Sequence, residues 1–203
     1  MAPIQQAAAL EGRLRDVAVT AGVAQDAIAA SIRAMNTDLG SLALRFREST
    51  TEVLGIVEVL SARGLDPDRV RVLTEVLTEV RAASGAAGAD LAQLAVGFER
   101  IAKLSGADVN TAMARAFRAG QLGGVELRDM AGQLPTILSQ MGGLNSTGLR
   151  AVENASAMLQ VVRDGFGTTS EAGAALNQLL SQLFSDSTRR NAVELGVDLN
   201  QVL

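Results

Sequence analysis

The sequence predicts an all-α fold, an array or bundle of about ten short-to-medium amphipathic helices. Apolar residues recur with a period near 3.6 along almost the whole chain. No stretch alternates with period two for long enough to make a strand. Glycine, aspartate and proline stand where one helix must stop and the next begin.

The first helix is expected over 4–20. Its opening, MAPIQQAAALEGRLRD, lacks the basic start and apolar core of a signal peptide. Helices follow near 24–36 and 41–62, and a capping box of Ser49 with Glu52 can break the second of these. Gly64-Leu65-Asp66 then separates 41–62 from 67–83. Glycine takes the left-handed conformation that ends a helix, and aspartate accepts from the open N–H groups of the next one. Pro67 falls where a first-turn proline is tolerated.

The same Gly-x-Asp signal recurs at Gly88-Ala89-Asp90, Gly106-Ala107-Asp108 and Gly196-Val197-Asp198. It places helices near 90–104 and 108–118. Leu91, Leu94, Ala95, Phe98, Ile101 and Ala102 stripe the former; Val109, Ala112, Met113, Ala116 and Phe117 stripe the latter. A helix over 125–141 carries Leu127, Met130, Ala131, Leu134, Leu138 and Met141, with Pro135 inside the pattern to kink or restart it. Leu149, Val152, Ser156, Leu159 and Val162 mark 147–165. Ala172, Leu176, Leu179, Leu180 and Leu183 mark 169–184, opened by a Thr168–Glu171 capping box. A last helix is expected over 187–195. Glu11 with Arg15 and Glu99 with Lys103 are spaced as i,i+4 pairs on solvated faces. The organisation read here is an N-terminal helical segment over 1–40 and a helical domain over 41–203. Asp198 reads as a helix start with only five residues after it, which leads us to expect a longer parent chain.

Composition narrows the function classes. The 203 residues are 48% hydrophobic, enough for one or two cores, and the net charge is -4 with no basic stripe. Sequence-specific nucleic-acid binding is therefore not expected. Cys, His, Trp and Tyr are absent, which removes disulfides, thiol chemistry and the commonest general base and metal ligand. Phe46, Phe98, Phe117, Phe166 and Phe184 are the whole aromatic inventory, too sparse for a stacking platform. No apolar window is long enough to span a membrane.

The segment Gly120–Pro135, GQLGGVELRDMAGQLP, breaks one helix and opens another. Its GQLGG run invites a phosphate reading, but it lacks the Lys-Ser/Thr of a P-loop and follows no strand. Glu126 and Asp129 could be an acid pair, yet both fall in a first helical turn, where acids favour the dipole. Asp90, Asp108, Asn110, Asp198 and Asn200 are oxygen ligands in short loops, without the alternating set that calcium needs. Helix capping accounts for them. Ser105 has only Lys103 nearby, at a spacing that points elsewhere on a helix. Met113, Met130, Met141 and Met158 at helical spacing read as core filler. No catalytic, cofactor-binding or metal-ligating residue is assigned, and no cofactor is expected.

Taken in order, three blocks carry a resemblance. GQLGGVELRDMAGQLPTIL (120–138), GLRAVENASAMLQVVRDGFGTTSEAGAALNQLLSQLF (148–184) and NAVELGVDL (191–199) together resemble the conserved helical region of bacteriophage tail tape measure proteins. The resemblance runs from about Leu54 to Leu203 and leaves 1–40 uncovered. It implies a structural protein of phage or prophage tail assembly that sets tail length and occupies the tube lumen or tail tip, after assembly in the host cytoplasm. Implied partners are other copies of itself, the tail tube protein, tail assembly chaperones and distal tail or tail-tip proteins. The resemblance carries over no catalytic motif. The competing reading of the same composition is an Ala-rich helical adaptor or scaffold domain, also non-enzymatic.

Overall fold

A computed structural model describes residues 3–142, 146–183 and 185–194. Every regular element among them is helical: α1 (Pro3–Thr20), α2 (Ile28–Phe46), α3 (Thr50–Ala62), α4 (Pro67–Ser84), α5 (Gly88–Arg100), α6 (Ala107–Leu122), α7 (Leu127–Met130), α8 (Leu134–Gly142), α9 (Gly148–Arg163), α10 (Thr169–Leu183) and α11 (Asp186–Glu194). The chain forms two compact units that divide between Val96 and Gly97, inside α5. Residue 40, the boundary expected from the sequence, lies inside α2.

In the first unit, α3 packs on α1, α2 and α4, and α2 also packs on α1 and α4. Leu14, Leu54, Ile56, Leu60, Leu73 and Leu77 are fully buried between them. Ion pairs tie the same helices together. Arg13 of α1 forks onto both carboxylate oxygens of Glu58 at 2.6 Å each. The hydrogen bond to Glu58 raises the Arg13 pKa, against the opposing pull of burial. Arg45 of α2 meets Glu75 of α4 at 2.6 Å. Arg81 of α4 lies between Glu48, at 3.1 Å, and Glu52, at 3.4 Å.

In the second unit, α9 packs on α6, α8 and α10, while α7 packs on α6 and α10. The expected stripes are its core: Val109, Ala112, Met113 and Ala116 of α6 are fully buried, as are Met130, Leu134 and Leu159. Phe117, Leu149, Val162 and Leu183 are half-buried, and Leu179 turns outward. It is 49% exposed, because Ala172, Leu176 and Leu180 occupy the buried side of α10.

The expected punctuation holds in part. Ser49 accepts from the Glu52 N–H and starts α3. Asp66 accepts from the Arg69 N–H at 3.0 Å and starts α4, after Gly64 at φ 75. Thr168 and Glu171 form a reciprocal capping box. The next two Gly-x-Asp signals need correction. α5 begins at Gly88 and α6 at Ala107, so Asp90 and Asp108 sit within first turns and are not N-caps. A carboxylate there still favours the helix dipole. The open Gly88 N–H is met from across the unit by the Glu52 carboxylate, at 3.1 Å.

Other boundaries shift too. α2 runs through Asn36–Ser41 and ends only at Arg47, a left-handed residue at φ 57. The expected helix over 90–104 stops at Arg100. Lys103 takes φ 55 beyond it, outside any helical i,i+4 geometry with Glu99. The Gly196-Val197-Asp198 turn, Asn200, Phe184 and the end of the NAVELGVDL block lie outside the described residues. Among the described residues, no helix is long and apolar enough to cross a membrane.

Candidate functional site: the glycine turn and its glutamine clamp

The segment Gly120–Pro135 is where local sequence and tertiary packing meet most tightly. α6 ends at Leu122, and the Gly123 N–H closes its last turn by donating to Ala119 O at 3.0 Å. One extended stretch later, Glu126 is the N-cap of α7, a single turn. The chain then turns again over 131–133 and restarts as α8. The helix expected over 125–141 is thus two helices. Pro135 sits second in α8, where its missing N–H would have had no intrahelical partner. Of kink and restart, the structure has the restart.

One side chain organises this turn, and the sequence reading missed it. Gln160 of α9 lays its amide into the loop. Its Oε1 accepts from the Val125 N–H at 2.8 Å, and its Nε2 donates to Val125 O at 2.8 Å and Ala119 O at 3.2 Å. The clamp therefore satisfies both backbone groups of a fully buried Val125 and gives a second donor to the Ala119 carbonyl at the end of α6.

The glycines explain how the amide gets in. A Cβ on Gly123 would lie 2.2 Å from the Gln160 Oε1 and 2.3 Å from its Cδ. A Cβ on Gly120 would lie 2.8 Å from the Leu127 N. These glycines are required by close approach, since neither has positive φ. A long polar residue beside an apolar stripe was the only sequence trace of the clamp. Nothing local tied position 160 to position 125.

This geometry speaks to the phosphate reading directly. The Gly123 and Val125 N–H groups already have protein acceptors. The helix that follows is one turn long, with a weak dipole. Glu126 and Asp129 are both exposed and flank Arg128, which lies 3.1 Å from Glu126 and 4.0 Å from Asp129. They form a solvated charge cluster. Lys103 and Ser105 are exposed in the loop after α5, while Asp90 and Asp108 lie on separate helices. Met113, Met130 and Met141 are buried and Met158 is half-buried. Among the described residues, no group of three or more acids is placed to hold a metal ion. What the segment does chemically is fix a bend.

Comparison with known proteins agrees with this structural character. Residues 33–202 match the family described as phage-related minor tail protein. The chain is also 31% identical over 196 residues to a "Probable tape measure protein" of Burkholderia phage BcepMu, an alignment that covers 96% of this chain. The chain spans 23% of that relative's length. No solved structure matches. A family match over most of the chain, together with a 31% identical relative that aligns with 96% of it, places this protein in the phage-related minor tail family, as a tape measure-like protein of phage tails.

Proposed function

We propose that this region is a non-enzymatic structural part of a tape measure protein, acting in tail-length determination through helix packing and protein contacts. The observation that carries the proposal is the alignment of 96% of the chain with a protein named as a tape measure. Its working location is the tail, in the tube lumen or at the tip, after assembly in the host cytoplasm. Its partners are other copies, the tail tube protein, assembly chaperones and distal tail proteins. The region binds them through surfaces and not through a catalytic centre.

The structure bears on which part of that task falls here. A continuous helix of 203 residues would reach roughly 300 Å at 1.5 Å per residue. The longest described helix, α2, has 19 residues and spans about 28 Å. A region folded into hairpins sets little length by its own rise. It serves the ruler as a folded contact module, and the linear measure falls to other parts of the protein.

The test is genetic and structural. Purified tailed particles should contain peptides from this region by mass spectrometry. Deleting the region should abolish or grossly disturb tail assembly, seen by electron microscopy. Normal tails of unchanged length from the deletion strain would sink the proposal. Tails shortened in strict proportion to the residues removed would instead make this region a linear ruler and overturn the contact-module reading.

A further inference from the structure

The first unit contains a cleft of about 220 Å³ where the C-terminal ends of α1 and α3 meet α2 and the start of α4. Its walls are mainly apolar, with Val17, Leu39, Leu42, Val57 and Val70 among them. An apolar cavity of roughly 150 Å³ already accepts a benzene ring. This one has room for a phenylalanine side chain.

Charged residues of both signs stand at the cleft. Arg45 and Glu75 close the seam between α2 and α4 on one side. Asp38 and Arg71 line the cleft on the same two helices, exposed, and neither side chain has an ion-pair partner among the described residues. An apolar hole flanked by two unmatched, opposite charges calls for an apolar knob flanked by the same two signs.

The chain itself carries such a knob. Among the described phenylalanines, Phe98 is buried, Phe46 and Phe117 are half-buried, and only Phe166 is exposed. It stands on the turn after α9, directly behind Arg163 and Asp164, and Arg163 braces the turn by donating to the Phe166 carbonyl. Leu44 is more exposed, but its neighbours Arg45 and Glu48 are already paired within the unit.

We propose that Phe166 of one copy inserts into the Val17–Val70 cleft of a second copy, with Arg163 and Asp164 facing Asp38 and Arg71. The contact is heterologous, so each added copy leaves one knob and one cleft unfilled. Repetition builds a ring or an open head-to-tail array. The proposal deepens the reading of self-association in a tail, but its test is independent of where the protein resides.

The experiment is sedimentation velocity on the purified chain across a wide concentration range. The parent should show a mass that rises with concentration. Phe166→Ala should weaken association by about tenfold or more, as loss of a central aromatic anchor does. Ala21→Trp, an exposed position on the cleft lining, should do the same by filling the hole. Helicity by circular dichroism should stay at the parent value for both variants. Mixed together, the two variants should form a one-to-one dimer and stop there, since each supplies what the other lacks. A parent that stays monomeric at every concentration overturns the proposal. So do single variants that associate like the parent, or a mixture that associates no better than its components. None of these results would bear on whether tailed particles contain the protein.

Discussion

Gln160 and Gly123 should behave thermodynamically as one feature. Truncating Gln160 to alanine removes three hydrogen bonds to the backbone at once, one from the Val125 N–H and two to the Val125 and Ala119 carbonyls, along with a weaker one to the Met130 sulfur. Each such bond contributes about 1 kcal/mol net, and a buried group left unpaired loses more. Gln160 is half-buried, so water can replace part of the loss. The expected destabilisation is about 2–3 kcal/mol. For a unit of about 100 residues, that lowers the melting temperature by roughly 10–20 °C.

Gly123→Ala should arrive at the same place by another route. Gly123 has φ -107 and ψ -174, an extended conformation that alanine adopts without strain. The only penalty is the new methyl at 2.2 Å from the Gln160 Oε1. The amide is the far end of a flexible side chain, so it swings out and breaks the same three bonds. Gly123→Ala should therefore also lose about 2–3 kcal/mol. In a Gln160→Ala background it should be neutral or slightly stabilising, because alanine restricts the unfolded chain. Urea denaturation followed by helix ellipticity gives all four corners of the cycle, with Gln178→Ala as an exposed control. The expected coupling is about 2 kcal/mol, with the double variant no worse than either single. Additivity within about 0.5 kcal/mol would refute the clamp.

Three further outcomes follow from the same contacts. Gly120→Ala should destabilise by at least about 2 kcal/mol and should not be rescued by Gln160→Ala, because its methyl meets the Leu127 backbone nitrogen at 2.8 Å and the backbone cannot swing aside; a rescue in denaturation experiments would contradict this. Arg81→Ala should cost about 2–3 kcal/mol, because it leaves Glu48 and Glu52 facing each other with Arg81 and Glu48 only 17% and 15% exposed, while the exposed Arg45→Ala should cost under about 1 kcal/mol; equal losses in thermal melts would reverse that ranking. Pro135→Ala should change stability by less than about 1 kcal/mol and leave the break at 131–133 intact, since a first-turn proline forfeits no intrahelical bond; amide exchange showing one continuous helix through 127–142 would show that the proline makes the break.

Periodicity made the helices and their buried faces legible, because a 3.6-residue apolar stripe has few other uses. Val109, Ala112, Met113 and Ala116 were readable as one face and are buried as one. Helix ends were legible only where glycine, proline or a capping side chain marked them. α2 ends at Arg47 and the loop after α5 turns at Lys103, both left-handed residues whose side chains give no warning. Local backbone bonds across each turn, from the Glu48 N–H to Ala43 O and from the Leu104 N–H to Phe98 O, accompany a conformation that the residues' own chemistry disfavours. The segment boundary expected at residue 40 falls inside α2, where no helix end occurs. The clamp was illegible for a different reason. Its partners are 35 and 41 residues apart, and a glutamine on a helix face has no pattern that names its acceptor.

Alanine and leucine faces can pack in many registers of nearly equal energy, so a chain this rich in small apolar residues needs something else to choose among them. Here long polar side chains meet glycines on neighbouring elements. Gln160 reaches into the turn at Gly123. The Glu52 carboxylate accepts the Gly88 N–H, and the Glu52 carbonyl lies 2.6 Å from where a Gly88 Cβ would stand. Gln133 presses against Gly173 of α10, its Oε1 2.3 Å from the missing Cβ. At each place, shifting one helix by a single residue would drive a Cβ into the polar group, and at Gln160 and Glu52 it would also strand hydrogen bonds. The glycines that look like flexibility in the sequence therefore fix register in the fold, and the bend from Gly120 to Pro135 is held by the helix it packs against.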